Sequence, residues 1–314
     1  MYDLVSVEER ELRCYDYFHR NKIETREQLR ESLQTNPIKG VRVKFAEEMF
    51  SDFQEVKKQQ EKRLADALSV GVGYNQTFAI SDMHIPFQDD ETLRNMFDCI
   101  VNHQPKNLVL VGDTLDCYSI SRFSKRPDRM RNLQDEIDIF YKKMRELKKY
   151  LPNTTISFIG GNHEARLSKL VLDNPGLFGL KAIAPEKLFR LTELGIPYYQ
   201  TKLDINKFLF YHGDTVRKSA GYSAKAEYED HRMNDGLSGH THRASSYFST
   251  YAQQVGQWYE NGCACLLEPD YLNDPDKANW QQAFTVIDHY DGINQGTQVL
   301  IQDHKFSYGG RLYK

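Results

Sequence analysis

The chain has few cysteines, no long apolar run and almost no excess of either charge. Its five cysteines (Cys14, Cys99, Cys117, Cys263 and Cys265) are odd in number and mostly scattered. That argues against a disulfide framework and for a reducing cytosol. Cys263 and Cys265 form a single C-x-C, with no second cysteine pair in sequence to complete a structural zinc site. Lys and Arg number 41 against 44 Asp and Glu, a formal charge of -3, so a wholly basic nucleic-acid binder is excluded while a local basic patch is not. The first ten residues lack the basic start and apolar run of a signal peptide. The longest apolar stretches, such as 108–111, are far too short to span a bilayer. A cytoplasmic protein without a membrane partner is expected. There is no internal repeat or low-complexity tract.

What is present is ordinary globular composition, 40% hydrophobic and 27% charged over 314 residues, enough for a large α/β unit with an appendage. Residues 1–72 read as an N-terminal helical region. Thr25 and Gln28 have capping-box spacing, Pro37 and Gly40 break the pattern, and a long helix follows from Val43 with Phe45, Met49, Phe53 and Val56 on one side. Gly71 and Gly73 mark a boundary, and 73–314 reads as the catalytic domain. There, strands at 77–80, 108–111 and 155–159 alternate with helices at 92–103 and 133–151. A strand at 207–211, a helix near 220–229 and a β-rich tail including 284–288 follow.

Five groups of metal-ligating residue types follow in order, most at the end of a readable strand. They are Asp82-Met-His84, Gly112-Asp113-Thr-Leu-Asp116, Gly160-Gly-Asn162-His163-Glu164, Tyr211-His212-Gly213-Asp214, and Ser238-Gly239-His240-Thr-His242. Loops at the carboxyl ends of strands in an α/β sheet converge on one crevice, so such groups can share a site. Imidazole, carboxylate and amide oxygen together suit borderline or hard divalent ions. In an extended strand, residues i and i+2 point the same way, which would let Asp82 and His84 grip one ion, and likewise His240 and His242. Any one of these residues alone is more often a surface or satisfied core group; five in this order are not.

The order D-x-H, G-D-x-x-D, G-N-H-E, H, G-H-x-H resembles the calcineurin-like metallophosphoesterase superfamily, and the match runs from about Asp82 to His242. The resemblance implies a four-layer α-β-β-α sandwich with two mixed β-sheets, preceded here by the helical extension. It implies one ion held by Asp82, His84 and His242 and a second held by Asn162, His212 and His240, with Asp113 bridging. A hydroxide shared by the ions would attack the phosphate ester. His163 would be the general acid, with Asp116 orienting its ring. Manganese is the expected ion, with magnesium, iron, zinc and nickel as alternatives.

Arg122, Arg166 and Arg243 lie near these loops as candidate phosphate clamps, against the alternative of solvated surface arginines. Phosphoprotein phosphatases of the superfamily continue the second motif with Arg-Gly; here Cys117-Tyr118 stands instead, which weakens that reading. The wording around Ser81–Phe87 is similar to phage and prophage members. In the segment 121–131, Arg122, Lys125, Arg126, Arg129 and Arg131 surround Phe123, as a loop tracking a single strand would. A phosphodiesterase acting on DNA or RNA, a nuclease, is therefore the first expectation. A phosphatase on a nucleotide, other small molecule or phosphoprotein is the alternative. A scaffold that kept the fold and lost the chemistry should have lost ligands, and none is missing. The N-terminal helices could dock a partner or a second copy of the chain.

Overall fold

The computed structural model describes residues 7–69, 75–127, 130–267, 278–290 and 292–314. The expected break at Gly71 and Gly73, and Arg129 of the basic segment, lie outside these. The chain forms two compact units, Met1–Asp66 and Ala67–Lys314. No helix among the described residues is long and apolar enough to cross a membrane.

The first unit packs α1 (Val7–Arg20), α2 (Arg26–Thr35) and α3 (Val43–Ser69) around Cys14, Phe18, Leu29, Leu33, Ala46, Phe50 and Phe53. The capping box forms: Gln28 N–H donates to Thr25 Oγ1 at 3.2 Å, and Thr25 N–H to Gln28 Oε1 at 3.1 Å. Such a cap is worth about 1 kcal/mol. The buried stripe of α3 centres on Ala46, Phe50 and Phe53, with Phe45 and Met49 at its margin. It is turned slightly from the stripe read in the sequence.

The second unit begins with β1 (Gln76–Ile80), α4 (Asp90–His103), β2 (Asn107–Val111), α5 (Leu133–Lys149), β3 (Thr155–Ile159) and α6 (Ala165–Asp173). Then come the short α7 (Pro185–Leu188) and α8 (Leu191–Leu194), followed by β4 (Tyr198–Tyr199), β5 (Lys202–Ile205), β6 (Phe208–Tyr211), α9 (Tyr222–Asp230) and β7 (Gly236–Ser238). Two hairpins, β8 (Ala244–Tyr251) with β9 (Gln254–Asn261) and β10 (Ala283–Tyr290) with β11 (Ile293–Leu300), precede β12 (Phe306–Tyr308) and β13 (Arg311–Tyr313). One sheet runs β11-β10-β1-β2-β3-β4, a second runs β5-β6-β7-β9-β8, and β12 pairs with β13. Both large sheets are mixed: β1, β2 and β3 are parallel, as are β6 and β7, whereas β10 joins β1 and β5 joins β6 antiparallel.

Strand alternation builds the layers. Phe78, Ile80, Leu108, Leu110, Ile156 and Phe158 pack with Met96 and Ile100 of α4 and with Phe140 and Met144 of α5. The intervening Ala79, Val109, Val111 and Ile159 turn to the other face and meet Phe208, Phe210, Leu237 and Tyr259 of the second sheet. Leu209 and Trp258 point away from that interface, to Ala224 and Tyr228 of α9. The order is helix, sheet, sheet, helix. β1 to β3 are covered on both faces, which β2 shows most plainly as the unbroken apolar run Leu-Val-Leu-Val. Each fully buried large side chain contributes roughly 1.5–3 kcal/mol, so the central sheets are a rigid platform for the loops that leave them.

Candidate metal centre

The three parallel strands β1, β2 and β3 end side by side, and so do β6 and β7. Each of the five groups sits in the loop that leaves one of these ends. Asp82 and His84 follow β1, Asp113 and Asp116 follow β2, and Asn162, His163 and Glu164 follow β3. His212 follows β6, and His240 and His242 follow β7.

The expected strand-like pairing of Asp82 with His84 and of His240 with His242 does not hold. β1 ends at Ile80 and β7 at Ser238, and all four residues have left-handed backbone, with φ of 54°, 47°, 67° and 56°. Asp113 does too, at 47°. A left-handed non-glycine residue costs of order 1–3 kcal/mol and persists where the surroundings over-determine it. Left-handed backbone at alternate residues, not the pleat, places these side chains, and it sends His240 and His242 to different clusters of ligand atoms. Glycine allows the close approach: a Cβ on Gly112 (φ +77°) would lie 2.4 Å from His212 Nδ1, and one on Gly239 would lie 2.6 Å from Asp82 Oδ2.

The side chains converge on two carboxylates. Asp113 Oδ1 accepts the backbone N–H of His163 at 2.9 Å, leaving Oδ2 to face His212 Nε2 at 3.2 Å, His163 Nε2 at 3.7 Å and His84 Nε2 at 3.9 Å. Asp82 Oδ1 lies 3.1 Å from His242 Nε2, and its carboxylate accepts the His240 N–H at 3.0 Å. His84 Nε2 and His242 Nε2 stand 3.0 Å apart, and Asn162 Oδ1 is 3.2 Å from His212 Nε2. Asp82, His84 and His242 have ligand atoms within 4.8 Å of one another, as do Asp113, His212 and His240, and also His84, Asp113 and His163. Lone pairs of this kind aimed at one another in a buried space fit divalent cations.

Two supports lie behind them. Asp116, fully buried, faces His163 Nδ1 at 3.1 Å and His84 Nδ1 at 3.3 Å through the same oxygen. Glu164 accepts three backbone N–H groups, those of Asp113 (3.0 Å), Leu115 (2.9 Å) and Gly161 (2.8 Å), and so staples the β2 loop to the β3 loop. The sequence reading placed Glu164 in its motif but gave it no role; a carboxylate beside a ligand, in a loop rich in exposed amides, was the available signal.

Charge follows this geometry. Burial alone would lower His212, but the charge and hydrogen bond of Asp113, with Asp82 behind them, raise it to about 10. Burial acts likewise on His242, which Cys265 and Asp82 lift to about 10. His84 is pushed down to about 4 by burial and by the neighbouring His163. Burial works against the charge of Asp116, yet hydrogen bonds from His163 and His84 hold it well below the usual carboxylate range. A proton held on His212 or His242 in this way would have to leave before a cation could be ligated there.

A family model described as calcineurin-like phosphoesterase matches residues 77–276, more than half of the chain. The chain belongs to the calcineurin-like phosphoesterase family. A search of curated proteins finds no sequence match. Among solved structures it is similar to wild-type Vps29 complexed with zinc from Entamoeba histolytica (12% identity, TM-score 0.40, covering 74% of this chain and 96% of that one). It is also similar to Vps29 from Chaetomium thermophilum (10% identity, TM-score 0.38, covering 73% and 92%).

Three arginines were expected around this calcineurin-like site, and the structure separates them. Arg166 is beside it: one guanidinium nitrogen donates to Asp116 O at 2.5 Å and the other lies 3.0 Å from His163 Nε2. Arg243 is not a clamp. It is buried, donating to Arg217 O and Ser223 Oγ, both at 2.9 Å, with Glu260 Oε1 at 3.4 Å. Arg122 is exposed and grips Asp173 at the end of α6 with two of its nitrogens. Where phosphoprotein phosphatases carry Arg-Gly, Cys117 takes a left-handed turn (φ 48°) and gives its N–H to buried Glu136 at 2.7 Å. Asp214, the last residue of the fourth group, is exposed.

Proposed function

We propose that this chain is a two-metal phosphoesterase, with one ion held by Asp82, His84 and His242, the other by Asn162, His212 and His240, and Asp113 between them. The observation that carries the reading is Asp113 Oδ2, a buried carboxylate oxygen facing three imidazoles within 3.9 Å. A pair of divalent ions in this cradle would supply an activated water at neutral pH and neutralise charge on the phosphoryl oxygens. The chain's own groups would do the rest. His163 would protonate the leaving oxygen, Asp116 would hold the ring and balance its charge, and Arg166 would meet a phosphate oxygen from the same side. Manganese is the first ion to try, and the cytoplasm the expected compartment.

For substrate we propose a phosphodiester of nucleic acid. Phe123, at 72% exposure, and exposed Arg126 both lie on the loop after Asp116, a ring and a cation of the kind a single strand uses. The rival is a small phosphate ester, favoured by the fact that two of the loop's cations are spent internally. Arg122 holds Asp173, and Lys125 donates to Tyr118 O at 2.7 Å. Elemental analysis with assays on p-nitrophenyl phosphate, its bis ester and labelled single- and double-stranded DNA separates these. Full activity in excess EDTA would end the two-metal reading, and cleavage of the monoester alone would end the nuclease one.

A further inference from the structure

His242 has two ring nitrogens, and the two faces of the ring meet different chemistry. Nε2 faces Asp82 and His84; Nδ1 faces a pair of thiols. Cys265 Sγ lies 3.9 Å from Nδ1, and the ligand atoms of His242, Cys263 and Cys265 all lie within 4.8 Å of one another. All three residues are buried, at 6%, 0% and 4% exposure. The backbone fixes the thiols there. Gly262 (φ +77°) turns the chain out of β9, Cys263 bridges to Gln282 and Cys265 to Gln88. Ala264 N–H, between the cysteines, donates to Asp82 O at 3.2 Å. The C-x-C is therefore clipped to the same loop that carries Asp82.

Two thiols and an imidazole are soft donors, unlike the carboxylates on the other side of the ring. Zinc bonds of about 2.3 Å to sulfur and about 2.0–2.1 Å to nitrogen, at tetrahedral angles, put S and N roughly 3.6 Å apart. The observed separation of 3.9 Å needs a movement of only a few tenths of an ångström. Two thiolates also cancel the charge of a divalent ion, which removes most of the cost of burying it.

We propose that His242 Nδ1, Cys263 and Cys265 bind a further soft divalent ion, zinc, so that the one imidazole joins this ion to the phosphoesterase centre. Uptake releases the proton of each thiol and that of Nδ1, and the second ring proton follows when Nε2 is also ligated. The site stands on the thiols and Nδ1, not on the function proposed above.

The test is zinc loading followed by metal counting and zinc-edge X-ray absorption, on wild type, Asp113→Asn and the double variant Cys263→Ser/Cys265→Ser. Asp113→Asn weakens the phosphoesterase centre without touching the thiols. Wild type and Asp113→Asn should both show a sulfur shell at about 2.3 Å. The double variant should lose that shell and one zinc per chain. Only nitrogen and oxygen neighbours in loaded wild type would overturn the proposal and leave the thiols as hydrogen-bond partners of His242. An unchanged zinc count in the double variant would overturn it as well. If Asp113→Asn keeps every zinc that wild type binds, the two-metal reading falls while a sulfur shell still upholds this one.

Discussion

Asp116→Asn is the most informative single change, because one buried carboxylate oxygen faces two rings with different proposed jobs. His163, the proposed acid, stands 3.1 Å away, and His84, a proposed ligand, 3.3 Å away. Removing a unit charge at about 3 Å from a protonated ring costs about 5 kcal/mol at an effective dielectric near 20 and about 1.4 kcal/mol at that of water. The His163 side chain is 14% exposed, so the true value lies between these limits. A positioned proton donor is itself worth about 10²–10⁴-fold, which caps the effect. The expected fall in kcat is therefore about 10–10³-fold at saturating metal, smaller than that of His163→Ala. Through His84 the same variant should also weaken metal binding about 10–100-fold, as loss of a ligand's hydrogen-bond partner does. Metal titration by calorimetry and kcat in excess metal separate the two effects. His163→Ala should move kcat alone. If Asp116→Asn leaves both metal affinity and rate unchanged, or if His163→Ala loses both ions, the division of labour argued here is wrong.

Asp113→Ala and His240→Ala should each lower the number of bound divalent ions, and EDTA should abolish activity that manganese then restores; retained occupancy in both variants removes the ligand assignment. Phe123→Ala with Arg126→Gln should raise KM for single-stranded DNA several-fold while leaving a small diester nearly untouched, and the wild-type advantage on DNA should shrink as salt rises. Equal losses on both substrates would point instead to a disturbed loop. Glu136, buried with the Cys117 N–H as its partner, is raised from 4.5 to about 8 chiefly by burial. Across that window the folded state holds a proton that the unfolded state has released, so stability falls as pH rises and levels off above about 8. Thermal melts of Glu136→Gln should therefore lose less between about pH 5 and 8 than those of wild type; parallel curves would refute this.

Much of the fold was legible because its central strands are buried on both faces. The apolar run 108–111, flanked by amphipathic helices that carry their own caps, reads as a strand of a layered α/β fold. The hairpin of β8 and β9 was not legible. Its first strand reads Ala-Ser-Ser-Tyr-Phe-Ser-Thr-Tyr, where serines and threonine break any apolar alternation and Phe248 is exposed. The ligand residue types and their order could be read, since chemistry alone selects His, Asp and Asn there. Their geometry could not, and the reason is physical. Secondary-structure patterns describe residues that relax into low-energy backbone, whereas Asp82, His84, Asp113, His240 and His242 are all held left-handed.

Such backbone is set by what surrounds it. The His240 N–H pinned on Asp82, the His163 N–H on Asp113, and the three amides on Glu164 are contacts between loops 49 or more residues apart or within one short loop. None of them leaves a periodic trace. The arginines make the same point from the other direction. A guanidinium near a motif in sequence can face the site, as Arg166 does, or be consumed by Glu260 or Asp173, as Arg243 and Arg122 are. The acceptors packed opposite decide which. The same holds for Cys263 and Cys265, which lacked two further ligands by sequence spacing. The nitrogen that faces them belongs to a histidine more than twenty residues away, whose Nδ1 the loop after β7 turns towards Cys265.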